Sequence, residues 1–537
     1  MRTMMILTVV GLVDFGLTAT AATIPVTTTD PTVAADGQCS IIEAIVNANA
    51  DAATHADCPP GSGADTVELA SSAVYELNEV RVVNGGPNGL PTIFSAIAVN
   101  GHDSTIRRAA GAPEFRFFIV SSTGDLTLND LTLEGGDSGG WVGGALNNQS
   151  GAVTLNRTTV TGNTAVGAGG ISNNNGAMTL SDCEVSFNTG TAGIGGIASG
   201  AQTADANLVI ERSLIHGNQA IGSGAGGIYT VSDGPYQAGL HISDSKVTEN
   251  SSQVTSGGIR STNAAVYVVD STIDGNTADY ACGGLFLDGG VGNIDGTTIS
   301  NNTVVNTVDA GTGGGLCVSD NTTTITNSTI SGNVVFGPST GQSYSGRGGG
   351  LSAVGGPFGA PTVNTVVIVE DSTICDNTAV TIGGGISVYR DAGAMAVTVE
   401  LRNTIVAEND EGGGAVLGNC VEESPAVITS SDFNLVDDLT CNLIGTDDLI
   451  VADVMLAPLA DNGGPTWTHL PLTGSPAIDS GDDALCANAD QRGYIRPWDG
   501  DDDGQIHCDR GAVEHGAPFF YDGFETGNTS GWSNTVP

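Results

Sequence analysis

The sequence predicts an all-β protein, a right-handed parallel β-helix, and three observations lead to this prediction. A phrase such as "GGISNNNGAMTLSDCEVSFNT", from Gly169 to Thr189, recurs about every 26 to 35 residues, and such periods mark solenoid proteins. Apolar residues alternate over short runs, as in strands, and no stretch sustains a helical period. Each copy opens with a glycine pair, where the backbone can turn sharply.

Alignment on a late asparagine brings nine copies of the repeat into register. The anchors are Asn163, Asn188, Asn218, Asn250, Asn276, Asn302, Asn333, Asn377 and Asn409. Three residues before each anchor the residue is always β-branched, and eight residues before it is always aliphatic. Paired strands lie ~4.8 Å apart, so equivalent residues should stack in columns, and the asparagine column can pair its amides between coils.

A second anchor is the residue that follows each glycine pair. These residues are Ala145, Ile171, Ile197, Ile228, Ile259, Leu285, Leu316, Leu351 and Ile386. A single coil cannot bury its own apolar side, so neighbouring coils must stack. We therefore expect the β-helix to span residues 81–410, and functional residues to lie in the variable loops.

The N-terminal region contains two predicted elements. Residues 1–21 resemble a secretory signal peptide, with Arg2 before an apolar stretch and a small-x-small site at Ala19–Ala21. Residues 36–80 are expected to form a cap and the first strands. In this cap Ser40 and Glu43 form a capping box that predicts a short amphipathic helix.

Composition restricts the partners of the protein. The chain has 59 acidic and 15 basic residues, a formal net charge of −44, and Lys246 is its one lysine. Such a charge repels nucleic acid and anionic membranes, so no nucleic-acid partner is expected. After the N-terminus no segment is apolar and long enough to span a bilayer. The chain is thus expected to be secreted or displayed on the cell surface, as a monomer.

Both ends of the predicted mature chain resemble a group of exported bacterial β-helix proteins. The N-terminal segment Cys39–Ile45, "CSIIEAI", is similar to their C-S-L-R-E-A-I segment, and Asp65–Val67 to their D-T-I strand. The C-terminal region 411–516 resembles their "choice-of-anchor" segment, although Arg510 stands where an aliphatic residue is usual. The repeats also look like those of polymorphic outer-membrane adhesins. The resemblance implies an exported surface protein and brings no established reaction. It also makes residues 517–537 a candidate sorting signal.

Ten cysteines are compatible with disulfides in an exported protein. Three pairs are disulfide candidates: Cys39 and Cys58 flank the predicted helix, while Cys420 with Cys441 and Cys486 with Cys508 lie close in sequence within irregular segments. Cys282 and Cys317 lie in adjacent coils, but their columns differ by about four residues. Along a strand this is roughly 13 Å, too far for a disulfide unless the glycine corner shortens it.

The segment "DGDDDG", 499–504, is the best candidate for a metal site. Asp499, Asp501 and Asp503 alternate, and Gly504 permits a sharp turn, as in the first half of an EF-hand calcium loop. The twelfth position is Arg510 instead of glutamate, so the loop is incomplete. We expect calcium here, and the alternative is an acidic surface turn.

Two functions compete at the level of the sequence. The first is an adhesive, binding or structural role toward an extracellular glycan or a host or cell surface, with no catalytic residue assigned. The second is a polysaccharide lyase or glycosidase, because β-helices host both. The insertion at about 336–361 breaks the repeat spacing, and long insertions often carry function. Candidate binding residues in or near it are Tyr344, Arg347, Phe358, Tyr389 and Arg390.

Overall fold

The computed structural model describes residues 21–305, 312–336, 346–356, 363–390, 394–412 and 416–517. These residues form a parallel β-solenoid of about 11 turns, which confirms the predicted class. The predicted signal peptide and tail lie outside the described residues, apart from residues 21 and 517. No helix in the described ranges has the length and apolar character needed to cross a membrane.

Each regular coil contains three strands of one large sheet and a short fourth strand of a second sheet. The first strand follows the glycine pair, and the second precedes the corner that leads to the third. Strands in the first position are Phe118–Val120, Leu146–Gln149, Ile171–Asn174, Ile197–Ala201, Ile228–Ser232, Leu351–Gly355, Ile386–Arg390 and Cys420–Glu422. Three longer strands, Ile259–Val269, Leu285–Asp295 and Leu316–Thr326, span the first and second positions.

The second and third positions supply most of the buried aliphatic residues. Strands in the second position are Thr23–Pro25, Asp65–Glu68, Ala152–Asn156, Ala177–Ser181, Ala206–Glu211, Ala238–Ser243, Thr365–Glu370, Val397–Arg402 and Val427–Ser430, while Ala96–Arg108 and Asp125–Glu134 span the second and third. Strands in the third position are Val74–Leu77, Thr159–Thr161, Glu184–Ser186, Leu214–His216, Lys246–Thr248, Thr272–Asp274, Thr298–Ser300, Thr329–Ser331, Thr373–Cys375, Ile405–Ala407, Leu435–Val436 and Leu449–Ile450.

The fourth position forms its own narrow sheet. Its strands are Thr164–Ala165, Thr189–Gly190, Gln219–Ala220, Ser251–Ser252, Thr277–Ala278, Thr303–Val304, Val334–Val335, Thr378–Ala379, Asp410–Glu411 and Val416–Leu417. Outside this pattern, Val82–Val83 pairs antiparallel with Pro87–Asn88.

The stacked asparagines form the predicted column, here called the asparagine ladder. Nδ2 of Asn276 donates to the carbonyl oxygen of Val247 at 2.8 Å and to Oδ1 of Asn302 at 2.9 Å. The backbone N–H of Asn276 donates to the same Oδ1 at 3.0 Å. The ladder ends at Asn419, whose Oδ1 accepts the amide of Asn409 at 2.9 Å. Buried amides are thereby hydrogen-bonded from coil to coil, as buried polar groups must be.

The strand registers confirm the aliphatic columns and correct one member of the glycine-pair column. Ile171 pairs with Leu146 and not with Ala145. Ala145 takes the place of the second glycine, because its N–H donates to the carbonyl oxygen of Gly170 at 2.9 Å. The sequence alignment took Gly143 and Gly144 as the glycine pair of this copy, and this placed the copy one residue out of register.

The predicted N-terminal cap is a single helical segment. In the described part of the chain the only helix is Ile41–Ala50. Ser40 N–H donates to the Glu43 carboxylate at 3.0 Å, and the Glu43 N–H returns a bond to Ser40 Oγ at 3.4 Å, so the predicted capping box is confirmed. Ile41 and Ile45 are fully or almost fully buried, and they close the apolar end of the first coil.

The described residues contain four disulfides. The pairs Cys39–Cys58, Cys420–Cys441 and Cys486–Cys508 are present as predicted. Cys282 also pairs with Cys317, with their Cα atoms 5.7 Å apart, so the distance argument against this bridge was wrong. Cys317 pairs in register with Phe286, and the chain between Cys282 and Phe286 turns at the glycine corner, which shortens the expected separation.

The C-terminal region folds back along the outward side of the third strands. Thr298 Oγ1 donates to the Trp467 carbonyl oxygen at 2.6 Å, and Thr329 Oγ1 donates to Gln491 Oε1 at 2.6 Å. The buried Arg510 donates to the carbonyl oxygen of Asn434 at 2.7 Å. These contacts make residues 465–517 a cover over the later coils, here called the covering segment.

Candidate functional site

The outward side of the third-strand sheet is divided into an open part and a covered part. Side chains that point outward from the third strands are at least partly exposed in most positions from Thr159 to Asp274. From Thr298 and Ser300 onward the equivalent side chains are buried by the covering segment or by the last coils. The open part spans the five coils whose third strands begin at Thr159, Glu184, Leu214, Lys246 and Thr272.

The end of the cover forms one wall of a cavity. Pro465 and Trp467 face Lys246, Asp274 and the neighbouring threonine and serine side chains around a space of about 170 Å³. The backbone carbonyl of Trp467 accepts the hydrogen bond from Thr298, and the residue is 54% exposed. An exposed tryptophan beside hydroxyl and charged groups offers both an apolar platform and hydrogen-bonding partners.

The open surface continues into a second cavity of about 480 Å³, toward the N-terminal coils. Lys246 lines both cavities, so they form one surface, here called the third-strand groove. On its wall the Arg212 guanidinium binds both Asp182 oxygens, at 3.0 and 3.1 Å. This hydrogen bond lowers the pKa of Asp182. Within the described part of the chain the Lys246 side chain has no hydrogen bond or ion pair, so its amine is free to bind a ligand.

A glutamate, a histidine and a phenylalanine form a second polar and aromatic group beside the groove, and Glu184 is the member that lines its larger cavity. Glu184 Oε1 accepts a hydrogen bond from Ser186 Oγ at 2.8 Å and lies 3.1 Å from His216 Nε2. The Ser186 hydrogen bond, followed by His216, lowers the pKa of Glu184. The ring of Phe187, which is 60% exposed, meets the His216 ring edge-on at 4.9 Å between centroids. This group presents ring edges, a carboxylate and a hydroxyl together.

The spacing of two groove carboxylates, Glu184 and Asp274, restricts the chemistry that this pair can perform. Glu184 and Asp274 lie three coils apart, about 14 Å at ~4.8 Å per coil. Glycoside hydrolases hold their two carboxyl groups about 5 to 9.5 Å apart. Asp274 is also occupied by hydrogen bonds from Ser300 at 2.7 Å and Asn301 at 2.8 Å. These two carboxylates are suited to binding and not to hydrolysis as a pair.

The predicted binding residues of the 336–361 insertion do not come together in the described residues. Tyr344 and Phe358 lie outside the described ranges. Arg347 forms an ion pair with Glu423 and its side chain is only 13% exposed. Tyr389 is buried, and Arg390 Nε donates to the carbonyl oxygen of Ala394 at 2.8 Å. A site at this insertion stays a prediction.

The acidic loop collects carboxylates in a different combination from the predicted one. Oxygens of Asp479, Asp499 and Asp501 lie within 4.8 Å of one another, without Asp503. The Asp503 N–H donates to Asp499 at 3.1 Å and to Asp501 at 3.0 Å, so the loop has internal partners. Burial raises the pKa of Asp479, and Asp501 adds to this effect. Calcium binding at this loop stays a prediction.

Sequence reasoning missed the third-strand groove because its residues lie in columns that vary chemically. One signal was available: Lys246 is the single lysine of the chain, and it occupies a column filled by threonine in the next coils, at Thr272 and Thr298. Trp467 gave no comparable signal. It reaches the groove only because the covering segment folds back.

Comparison with known proteins adds a likeness in architecture. No family model matches the chain, and no curated protein matches it. Among solved structures, the chain is similar to that of pectate lyase Pel9A, with 13% identity, coverage of 92% of this chain and 97% of that chain, and a TM-score of 0.33. The parallel strand registers of this chain themselves define it as a parallel β-helix protein.

Proposed function

We propose that this protein is exported and binds an extended extracellular glycan along the third-strand groove, in an adhesive or binding role. One observation carries the proposal: the chain covers the third strands from Thr298 onward and leaves the five preceding coils open. The open part ends at the exposed Trp467, beside Lys246. The five open third strands, from Thr159 to Thr272, extend over four steps or about 19 Å, which suits a linear polymer.

The groove also offers the chemical groups that a sugar chain needs. Hydroxyl groups of Thr248 and Thr272, from two successive coils, line it. Ligand sites combine apolar surface with a few polar groups that fix orientation, and Trp467 and Phe187 supply exposed rings at two places. A sugar ring, with apolar C–H faces and hydroxyl edges, matches both kinds of group.

The charge balance of the groove differs from that of the whole chain. Its larger cavity is lined by three basic residues, Arg157, Arg212 and Lys246, and by three acidic residues, Asp182, Glu184 and Asp244. This balance contrasts with the net charge of −44 for the chain. A neutral or weakly charged glycan would therefore meet less repulsion here than elsewhere on the protein.

Export is supported by the cysteine chemistry of the described residues. Four disulfides are typical of oxidising, extracytoplasmic environments. The signal-like residues 1–21 and the resemblance of both ends to exported β-helix proteins point the same way. Adhesion at a cell surface and a monomeric state are parts of this proposal.

Lys246 favours a second candidate function, a polysaccharide lyase. A lyase needs a basic side chain beside the substrate, and Lys246, whose amine has no partner among the described residues, lines both cavities. In that reaction the base would remove a proton from a sugar carbon adjacent to a carboxyl group. The leaving sugar would depart as a double bond forms, so the product would be an unsaturated uronide.

A screen of soluble polysaccharides tests both functions. The full chain is assayed for binding, and every mixture is then monitored for the ultraviolet absorbance of unsaturated uronides. The binding role is supported if the wild-type protein binds a polysaccharide without producing new absorbance and Lys246→Ala binds it more weakly. Absorbance that disappears in Lys246→Ala would establish the lyase instead. Loss of binding in Arg347→Ala but not in Lys246→Ala would move the site to the insertion.

A further inference from the structure

A buried histidine of the covering segment meets two side chains at the end of a third strand. Cys375 closes the strand Thr373–Cys375, and Asp376 follows it at the corner. His469 arrives from the covering segment and is 2% exposed, while Cys375 is fully buried. One ligand atom from each residue, a sulfur, a carboxylate oxygen and an imidazole nitrogen, lies within 4.8 Å of the other two.

The hydrogen bonds of His469 orient its ring toward this cluster. Nδ1 lies 2.8 Å from the Ala457 carbonyl oxygen, which can only accept, so Nδ1 carries the proton. Nε2 is therefore the acceptor nitrogen: it accepts a hydrogen bond from Ser331 Oγ at 2.8 Å and lies 4.0 Å from Asp376 Oδ2, so a metal would bind it in place of the Ser331 hydroxyl. Metal-binding histidines are commonly fixed in this way, by a second nitrogen that donates to a carbonyl.

We propose that Cys375, Asp376 and His469 bind a zinc ion that ties the covering segment to the β-helix. A mixed set of sulfur, nitrogen and oxygen ligands suits zinc better than calcium or magnesium. Bond lengths of ~2.0 to 2.3 Å place tetrahedral ligand atoms about 3.3 to 3.8 Å apart, so shifts of about 1 Å would complete the geometry. Glu408 Oε2 accepts the Cys375 thiol at 3.7 Å but lies outside the group of mutually close ligand atoms, so water would take the fourth position.

The ion would bind with release of one proton and offset a local excess of negative charge. Cys375 binds as the thiolate, and its proton passes to the buffer. Asp376 and Glu408 face the same space, and Asp437 lies behind Glu408, whose N–H it accepts at 2.9 Å. Asp376 is exposed, which leaves a path for the ion from solvent.

Binding at His469 would also fix one border of the third-strand groove. His469 follows Trp467 by two positions, and their segment forms the end of the cover. The proposal itself does not depend on glycan binding, because it rests on the three ligand atoms alone.

Metal titration of the tag-free full chain tests the site. Cobalt(II) is the probe, because a cobalt–thiolate bond gives a near-ultraviolet absorption band, and zinc is then added in competition. We expect one cobalt per chain with this band, displaced by one zinc, and a rise in melting temperature. Cys375→Ser should abolish the band, and Asp376→Asn should weaken zinc binding at least tenfold. Cys183→Ser is the matched control, because Cys183 is the other free, buried cysteine.

Three outcomes would overturn the proposal. The first is the absence of a thiolate band at one cobalt per chain. The second is a band that Cys183→Ser removes and Cys375→Ser does not. The third is equal zinc affinity in wild type and Asp376→Asn, a change at an exposed residue that should leave the fold intact. Any of these would leave His469 as a buried histidine that hydrogen-bonds Ser331.

Discussion

The asparagine ladder leads to a prediction that two adjacent residues can test. Asn302 lies in the ladder, fully buried, whereas its neighbour Asn301 is exposed. Oδ1 of Asn302 accepts the backbone N–H of Asn276 at 3.0 Å and the amide of Asn276 at 2.9 Å. Nδ2 of Asn302 donates to the Ile273 carbonyl oxygen at 2.9 Å and to Asn333 Oδ1 at 3.0 Å.

The substitution Asn302→Ala removes all four of these hydrogen bonds. It leaves the buried N–H of Asn276 without its acceptor, and a buried unsatisfied group costs about 1 to 3 kcal/mol. With the cavity left by the missing amide, we expect a loss of about 2 to 4 kcal/mol in the free energy of unfolding. Asn301→Gly is the matched control. Asn301 has φ 52°, which glycine adopts freely, so its loss should stay within about 0.5 kcal/mol.

Denaturant and thermal midpoints of the two variants measure the difference. Circular dichroism at strand wavelengths follows unfolding in guanidinium chloride, and calorimetry supplies the melting temperature. We expect Asn302→Ala to unfold at clearly lower denaturant and temperature than Asn301→Gly. Equal midpoints would refute the energetic role of the ladder.

Three further predictions concern the core, the acidic loop and the unexpected disulfide. Ile273→Asp should lower the melting temperature far more than Asp274→Ala, because it buries an unpaired carboxylate at a cost of several kcal/mol; similar values would contradict the register. Calcium at a hundredfold excess over its dissociation constant should stabilise the fold by about 2.7 kcal/mol, more than magnesium does, and Asp501→Asn should remove most of this gain; identical responses would leave only an acidic turn. Non-reducing peptide mapping should recover Cys282 linked to Cys317, and two free thiols there would contradict the corner geometry.

The part of the fold that repeats could be predicted from the sequence. Each column residue sees the same environment in every coil, so Ile273 between Val247 and Ile299 follows from the spacing of similar phrases. The shift at Ala145 arose where one copy departs from its neighbours. The capping box at Ser40 and the helix that it begins could also be predicted, because both depend on residues close together in sequence.

The contacts of the covering segment could not be predicted, because they follow no period. Thr298 and Trp467 are 169 residues apart, and Ser331 and His469 are 138 apart. Nothing in the spacing of the repeats indicates where an irregular segment docks on a regular sheet. The groove exists only where that segment stops. Neither the groove nor the cluster at Cys375 could therefore be predicted from the sequence.

The central claim is that the third-strand groove binds a glycan, and a pair of tryptophan variants tests it most directly. Trp467 is 54% exposed at the end of the groove, and Trp141 is 51% exposed at a corner before a first strand, away from it. Affinity for the best glycan of the screen is measured by calorimetry for both alanine variants. We expect Trp467→Ala to weaken binding at least tenfold, about 1.4 kcal/mol, and Trp141→Ala to bind as wild type does. Unchanged affinity in Trp467→Ala, or an equal loss in both variants, would contradict the account.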